Sequence, residues 1–349
     1  MKIAFLNLTP LNYEIDTPYK EPLGGSESAL CYLAEALGKR GHDSNLFKNL
    51  KEKEIKELDY LIIQNTPLLS SKILNKLNKK TKLILWIEHA SDQPAVSCLN
   101  DINIINLYEK IVFISFWQKQ DFLNKFPIDT KKCLIIRNAI SPAFEKMFGE
   151  GEKIIPQKLN PPTIAYTSTP FRGLDFLINV FPQIRKEVPD VRLDVYSSMK
   201  VYQIDQKTDQ DNYGRLYELC KNTDGVNLIG SLSQRELSHR LKSALILSYP
   251  NTFPETGCTS VLEAMAGGMQ VVTTNLGALP ETTSGFAYLV NLEKFAETVI
   301  NILKDFKSGN TNLLDDRLRR QVYFTNSAYT WSKRAEEWEF FLSQNMLNL

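Results

Sequence analysis

The chain has 349 residues, enough for two domains of about 150 residues each. Hydrophobic residues make up 43% and charged residues 23%, the composition of a folded globular protein, which excludes disordered, collagen-like and disulfide-rich classes. The 41 Lys and Arg residues balance 40 Asp and Glu residues, so the net charge of +1 provides no general attraction for nucleic acid.

The apolar runs and the cysteines further restrict the class of protein. The longest apolar runs are shorter than the ~20 residues of a membrane-spanning helix. Residues 1–8 lack the features of a signal peptide, and they are predicted to form a buried first strand. The five cysteines are scattered without a C-x-x-C pair and are expected to be free thiols. These features predict a cytoplasmic protein without disulfides or a cysteine-based metal site.

In the first half of the chain, short β-rich apolar runs alternate with helical patterns. The predicted strands are residues 2–8, 44–47, 60–64, 82–87, 110–115 and 133–137. A helix is predicted over residues 26–40, where apolar residues recur at helical spacing and Gly41 follows as a stop signal. This βαβα order predicts a parallel sheet covered by helices on both faces.

Residues 149–162 contain three prolines and are typical of a linker, after which the alternation resumes. The predicted strands are residues 163–167, 192–197, 226–230, 244–248, 270–274 and 286–290. The predicted helices are residues 174–186, 234–242, 259–267, 294–306 and 328–342. The sequence thus predicts two doubly wound α/β domains, 1–155 and 156–328. Ligands of such domains bind outside the carboxyl ends of the strands, so a cleft between the domains is expected.

Two glycines, Gly24 and Gly25, precede the predicted helix 26–40. Glycines allow the backbone to approach a ligand closely, and a helix N-terminus offers free N–H groups to an anion. The alternative is a plain loop-to-helix turn in which Ser26 caps the helix. No G-x-G-x-x-G or Walker A pattern is present, which argues against dinucleotide and ATP folds.

A second motif, residues 249–263, follows a buried strand and continues into a helix. The N–H groups of Gly257, Cys258 and Thr259 would lie at that helix start and suit a phosphate. Glu255 and Glu263 can face the same ligand, and carboxylates suit vicinal hydroxyl groups. A phosphate site with two hydroxyl-binding carboxylates describes a sugar nucleotide. In the alternative, the first carboxylate interacts with the helix dipole and the second is a solvated helix residue.

Two further side chains follow strands and are candidates for the cleft. Arg172 could hold a diphosphate with its planar set of donors, or it could be an exposed surface arginine. His89 could donate to a ligand oxygen, or it could make a structural hydrogen bond. With only three histidines in the chain, a histidine metal site and a recognisable Ser-His-Asp triad are not expected.

Two patterns favour less specific roles. The string from Asp209 to Asp211 resembles the D-x-D metal motif of some sugar-transfer enzymes, but it lies in a polar run, 206–212, which predicts a solvated loop. Residues 71–82 carry five lysines and predict a basic amphipathic helix. Such a helix is usually a surface helix, and it can also make a weak peripheral contact with anionic lipid.

Several segments resemble glycosyltransferase family 4, including its E-x7-E signature from Glu255 to Glu263. The segments that carry the resemblance are residues 24–27, 114–118, 136–140, 254–256, 263–268, 271–274 and 277–281. They occur in the family's order and span most of the chain. The resemblance implies a GT-B fold of two facing Rossmann-like domains, with a C-terminal helix, 329–349, that crosses back to the first domain.

The resemblance also implies an activity and a set of site residues. The activity is retaining transfer of a hexose from a nucleoside diphosphate sugar such as UDP-glucose or GDP-mannose to a hydroxyl of a saccharide or lipid, without a cofactor or essential metal. Glu255 would hold sugar hydroxyls, Glu263 the ribose, and His89 would touch the donor sugar. Arg172 would hold the diphosphate and is, with Glu255 and His89, one of the three implied catalytic residues. The other residues implied at the donor are Gly24, Gly25, Ser231, Leu232, Thr256, Gly257, Cys258 and Thr259.

One position departs from the family pattern. Many relatives have an arginine five residues before the basic residue at 172, where this chain has Thr167. A phosphate-binding cation is therefore absent or supplied from elsewhere. A non-catalytic sugar-nucleotide sensor of the same fold remains the main alternative, since a solute-binding protein would need a signal peptide and an epimerase does not predict the E-x7-E pair. The expected location is the cytoplasm, with or without peripheral contact to the inner face of the membrane.

Overall fold

The structure is a computed structural model that describes residues 1–309 and 311–346. Its first half forms a six-stranded parallel sheet in the order β2-β1-β3-β4-β5-β6. The strands are β1 (Lys2–Asn7), β2 (Asp43–Leu46), β3 (Tyr60–Gln64), β4 (Lys82–Ile87), β5 (Lys110–Phe113) and β6 (Cys133–Ile135). Ile, Leu and Val dominate the central strands, which are buried on both faces as parallel strands require.

The second half forms another six-stranded parallel sheet, in the order β12-β11-β10-β7-β8-β9. Its strands are β7 (Thr163–Tyr166), β8 (Arg192–Val195), β9 (Val226–Leu228), β10 (Ile246–Tyr249), β11 (Gln270–Thr273) and β12 (Tyr288–Leu289). All twelve predicted strands overlap strands of the structure, so the predicted α/β fold of two parallel sheets is confirmed.

Helices cover both faces of each sheet. The helices are α1 (Thr17–Lys20), α2 (Gly25–Lys39), α3 (Glu52–Lys56), α4 (Ser71–Leu74), α5 (Ile102–Asn106), α6 (Phe116–Lys125), α7 (Leu174–Glu187), α8 (Gln206–Asn222), α9 (Gln234–Ser243), α10 (Thr259–Ala266), α11 (Leu279–Thr283), α12 (Leu292–Lys307), α13 (Asn312–Ala328) and α14 (Trp331–Met346). The helix predicted over residues 26–40 and the five predicted in the second half all overlap members of this set.

Two predictions for polar segments are wrong. The basic helix predicted over residues 71–82 is only the single turn α4, because turns follow it and the chain enters β4 at residue 82. The solvated loop predicted over residues 206–212 is the first part of α8, where Asp205 caps the helix. Asp209 is buried there and accepts a hydrogen bond from the Tyr217 hydroxyl at 2.8 Å, so its role in the fold is structural.

The last helix, α14, packs against the first sheet's domain. Trp331 and Trp338 are buried in the core of that domain, and the Trp338 ring lies edge-on to Trp86 of β4, 5.6 Å between centroids. The return to the first domain that the GT-B resemblance implies is therefore present. The last three residues of the predicted helix 329–349 lie outside the described residues.

The chain crosses between the two cores at two adjacent points. Ala139 belongs to the first core and Ile140 to the second, whereas Tyr329 belongs to the second and Trp331 to the first. The Ile140 N–H donates to the Tyr329 carbonyl at 3.1 Å, so the two crossing segments of chain are bonded to each other. The domain boundary between residues 155 and 156 stays a prediction.

The topology places a cleft where the sequence expects one. In each sheet the strand order reverses beside the first strand, between β1 and β3 and between β7 and β10, and ligands of such sheets bind at the carboxyl ends there. In the second sheet, Gly173 allows two loops at these carboxyl ends to approach each other closely. Its φ is +93°, and a Cβ would lie 2.1 Å from the Pro250 carbonyl oxygen, so only glycine allows the β7 loop to lie against the β10 loop.

We expect Trp338→Ala to lower the free energy of unfolding of the first domain by about 3–5 kcal/mol, because the substitution leaves a cavity between α14 and β4. Urea denaturation followed by hydrogen exchange of the first sheet measures the loss. Phe340→Ala is the matched control, since Phe340 lies two residues further on the same helix and is 68% exposed. Equal effects of the two substitutions would contradict this account of α14.

Candidate functional site

The carboxyl ends of the two sheets face a shared cleft with a cavity of about 640 Å³. Its walls come from both domains, and it contains every residue that the sequence and the resemblance assign to the site. Those residues are Gly24, Gly25, His89, Arg172, Ser231, Leu232, Glu255, Thr256, Gly257, Cys258, Thr259 and Glu263. Their placement in one cavity is a geometric fact, and their individual roles stay predictions.

Glu255 is held by two donors. The Arg172 Nη1 and the Tyr249 hydroxyl each donate to its Oε1 at 2.5 Å. Burial raises the pKa of the Glu255 carboxyl, and the positive charge of Arg172 opposes this rise. The guanidinium also lies over the Phe253 ring, 4.3 Å from its centroid. The surface-arginine alternative therefore fails, because Arg172 is enclosed between an aromatic ring and a buried carboxylate.

Glu263 lies in the middle of α10 and is 4% exposed, which excludes the alternative of a solvated helix residue. Its Oε1 accepts the backbone N–H of Ser141 at 3.3 Å. Burial raises the pKa of the carboxyl to about 8. A buried carboxyl with one long hydrogen bond has free acceptor capacity for a ligand hydroxyl.

The α10 N-terminus opens on the cleft between these two carboxylates. Cys258 is its N-cap residue, and the Cys258 side chain makes no capping hydrogen bond. The free N–H groups and the helix dipole make this end of α10 attractive to an anion such as a phosphate.

The glycine loop before α2 lies on the opposite wall. A Cβ on Gly24 would lie 2.5 Å from the Glu27 carboxylate and 3.3 Å from the ring of Tyr202, a residue of the second domain. A Cβ on Gly25 would meet nothing within 4 Å, so this residue faces the open cavity. The loop thus contacts the second domain at one glycine and leaves space for a ligand at the next.

His89 follows β4 at the floor of the cleft. Its Nδ1 is buried and has no hydrogen-bond partner among the described residues, while burial lowers the pKa of the ring and favours the neutral imidazole. Its backbone is fixed, because Gln118 Nε2 donates to the His89 carbonyl at 2.7 Å. The Thr256 hydroxyl donates to the neighbouring Glu88 carbonyl at 2.7 Å and so joins the Glu255 loop to the His89 loop.

Glu88 and Asn138 line the cleft but were not among the site residues predicted from the sequence. Glu88 is 7% exposed, and burial raises the pKa of its carboxyl to about 8. Its oxygens accept from Gln64 Nε2 at 3.0 Å and from Asn138 Nδ2 at 3.2 Å. The sequence signal was present, since Glu88 directly precedes His89 at a strand end and Asn138 lies in a segment that carries the resemblance.

The five cysteines, Cys31, Cys98, Cys133, Cys220 and Cys258, are unpaired. In the part of the chain that the structure describes, no three His, Cys, Asp or Glu side chains are grouped so that they could hold a metal ion. Within those same residues, no helix combines the length and the apolar character needed to cross a lipid bilayer.

The raised pKa of Glu263 predicts a pH-dependent stability. Between the unfolded pKa of about 4.3 and the folded value of about 8, the folded state holds one proton more, so stability falls as pH rises, by up to ~1.4 kcal/mol per pH unit. Glu263→Gln cannot ionise, and we expect its stability relative to wild type to increase from pH 5 to pH 8. Guanidinium denaturation across this range measures the difference.

The control for this prediction is Glu293→Gln, which changes an exposed glutamate of α12. Its stability should follow that of the wild type at every pH. A constant difference between Glu263→Gln and wild type from pH 5 to pH 8 would contradict the buried, proton-binding state of Glu263.

Comparison with known proteins agrees with the fold. Residues 161–305 match the family model for Glycosyl transferases group 1. One subunit of human phosphatidylinositol N-acetylglucosaminyltransferase is 23% identical over 231 residues, which are 60% of this chain and only 43% of that protein.

Solved structures match over the whole chain. A glycosyltransferase from Rickettsia africae has a TM-score of 0.74 at 15% identity, covering 100% of this chain and 99% of the other. HepE from Anabaena in complex with UDP-glucose has a TM-score of 0.68 at 14% identity, covering 100% of both chains. The chain therefore has the GT-B fold of glycosyltransferases, and residues 161–305 match the group 1 glycosyltransferase family model.

Proposed function

We propose that the chain is a retaining glycosyltransferase of family 4 that transfers a hexose from a nucleoside diphosphate sugar to a hydroxyl acceptor, without a metal ion or cofactor. The observation that carries this proposal is the pair Glu255 and Glu263, buried in one cleft on either side of the α10 N-terminus. Two hydroxyl-accepting carboxylates beside an anion site match a sugar, a diphosphate and a ribose.

The comparisons support the donor class. The second domain matches the family model, and HepE has the same fold in a complex with UDP-glucose. We assign residues 156–328 to the donor and residues 1–155, with the C-terminal helix, to the acceptor. The acceptor is a saccharide or a lipid, and the name of the human relative includes the lipid phosphatidylinositol. The proposed location is the cytoplasm.

In the donor complex, Glu263 accepts from the ribose and Glu255 from the sugar hydroxyls, while the Ser231–Leu232 backbone reads the base. The diphosphate lies at the α10 N-terminus, where it meets the N–H groups of Gly257, Cys258 and Thr259. Arg172 is close enough to Glu255 to contact the sugar-linked phosphate at the same time. His89, with its unpaired Nδ1, faces the donor sugar.

The reaction breaks the bond between the anomeric carbon and the β-phosphate oxygen. The acceptor oxygen bonds to the same face of that carbon, and its proton passes to the departing phosphate. Negative charge therefore grows on the β-phosphate, where the helix N–H groups and Arg172 stabilise it. The closed cleft excludes water and so limits hydrolysis of the donor.

We expect one of UDP, GDP or ADP to stabilise the protein in a thermal-shift screen. A ligand at 100 times its dissociation constant adds about 2.7 kcal/mol, a clear rise in melting temperature. The sugar nucleotide with the same base should then be hydrolysed slowly in the absence of acceptor. Nucleotide binding without any donor turnover would favour the sensor alternative, and no shift with any nucleotide would contradict both.

We expect Glu263→Ala to weaken nucleotide binding at least tenfold, because the ribose hydroxyls lose their acceptor. The melting temperature of the unliganded variant should not fall along with its nucleotide affinity, since the substitution removes a buried carboxyl that has one long hydrogen bond. Glu293→Ala, at the exposed start of α12, is the matched control and should bind like wild type. Unchanged binding by Glu263→Ala would contradict the proposed ribose site.

A further inference from the structure

The first-domain wall of the cleft contains a cluster of polar side chains that donor binding does not use. Glu27, Glu88 and Asn138 line the cavity there, and we call these three residues the first-domain triad. They lie at the carboxyl ends of the first sheet and face the second domain across the cleft. Asn7 and Gln64, at the ends of β1 and β3, support them from behind.

Hydrogen bonds fix the orientation of the triad. Gln64 Nε2 donates to Glu88 at 3.0 Å, while its Oε1 accepts from Asn7 Nδ2 at 2.9 Å. The same Asn7 group lies 3.4 Å from Glu27 Oε1. The backbone of Glu88 is also fixed, because its N–H donates to Asn65 Oδ1 at 2.7 Å. Such a connected network holds side chains in a single arrangement.

The triad has hydrogen-bond acceptors that no donor of the described residues uses. Asn138 Nδ2 donates to Glu88, which leaves Asn138 Oδ1 buried with no partner among the described residues. The Glu27 carboxyl receives a hydrogen bond from its own backbone N–H and the long contact from Asn7 Nδ2. The Glu88 carboxyl accepts from Ser26, Asn138 and Gln64, so its ionised form keeps about one of four lone-pair sites for a ligand hydroxyl. A ligand that satisfies these atoms must bring donors.

The charge of this wall also favours an uncharged ligand that carries hydrogen-bond donors. In the described part of the chain, the first-domain residues that line the cleft include no Lys or Arg. The cation across the cleft, Arg172, is paired with Glu255, and the proposed function also assigns it to the donor diphosphate. A phosphate offers only acceptor oxygens and negative charge, so it would meet carboxyl groups without a compensating cation. Sugar hydroxyls donate and carry no charge.

The lysines of residues 72–82 do not add positive charge to this wall of the cleft. Lys79 and Lys80 precede β4, at the amino end of the sheet, whereas the cleft lies at the carboxyl end of the same strand. A lipid headgroup bound by these lysines would be separated from the triad by the length of the strand.

We propose that Glu27, Glu88 and Asn138 form the acceptor subsite, and that it takes an uncharged, hydroxyl-bearing acceptor, a saccharide or polyol, rather than one phosphorylated beside the reacting hydroxyl. This inference rests on the proposed function. The three side chains bind the acceptor by accepting hydrogen bonds from its hydroxyls, and Glu88 orients the hydroxyl that attacks.

The test compares matched acceptors on the full-length protein with the donor found in the thermal-shift screen. The pairs are glucose and glucose 6-phosphate, N-acetylglucosamine and its 6-phosphate, and myo-inositol and its 1-phosphate. We expect the uncharged member of at least one pair to accelerate donor consumption, with a kcat/KM at least tenfold above that of its phosphate. Phosphates that equal or exceed their partners, or no response to any compound, would overturn the inference.

Variants connect that preference to the triad. We expect Glu88→Gln to raise the KM for the uncharged acceptor at least tenfold while the KM for the donor stays within twofold. Glu27→Lys should raise the relative kcat/KM for the phosphorylated member by tenfold or more, because it places a cation on the same wall. Glu109→Gln, an exposed glutamate before β5, is the control.

The outcomes separate this inference from the proposed function. If the wild type neither binds a nucleotide nor hydrolyses a sugar nucleotide, the proposed function fails. If donor turnover is present but Glu27→Lys and Glu88→Gln leave acceptor KM and preference unchanged, only the acceptor subsite fails. Melting temperatures of both variants within a few degrees of wild type exclude a general loss of folding.

Discussion

The cost of burying carboxyl groups governs the cleft. Four glutamates line it, Glu27, Glu88, Glu255 and Glu263, and burial raises the pKa of each. A carboxyl removed from water needs a partner charge, hydrogen-bond donors or a proton. Three solutions occur side by side: Arg172 pairs with Glu255, side-chain amides serve Glu88, and Glu263 has one backbone N–H. The carboxyl groups with few hydrogen-bond donors keep free acceptor capacity for a ligand.

The same cleft also depends on how the domains are joined. Glu281, at the start of α11, accepts from the N–H groups of Phe116 and Trp117 at the beginning of α6 and pairs with Arg137 at 2.6 Å. A carboxylate of the second domain thus caps a helix of the first. Together with the hydrogen bond from the Thr256 hydroxyl to the Glu88 carbonyl, this contact joins the two domains beside the cleft. Three segments that carried the family resemblance meet at this one contact, which gives them a role in joining the two domains.

The sheets could be predicted from the sequence because a buried parallel strand is a short run of Ile, Leu and Val, and such runs need no knowledge of their neighbours. Polar helices were harder. Helix α8 packs through few residues and buries an aspartate, so its first turns look like a solvated loop. The lysine segment has helical periodicity, yet the chain has to enter β4 at residue 82. Here the tertiary fold overrides local preference.

The residues of the candidate site, like the elements of the fold, could be predicted only in part from the sequence. Glu255 and Glu263 could be found because their spacing around a helix start is local in sequence. The network around Glu88 could not, since Gln64 and Asn138 lie 24 and 50 residues away and meet it only after the sheet has formed. Long-range polar contacts leave no periodic signal. Asn138 entered through the resemblance, which named its segment without giving it a function.

Position 167 of the cleft holds a threonine, so the cleft has one cation fewer than many relatives. Its hydroxyl is buried without a partner among the described residues, and its carbonyl accepts from the Ser260 hydroxyl at 2.8 Å, so it lies against the first turn of α10. An arginine here would place a second cation at the proposed phosphate position. In the proposed donor complex, the N–H groups of α10 and of the glycine loop therefore neutralise most of the diphosphate, and Arg172 serves Glu255 and the phosphate together.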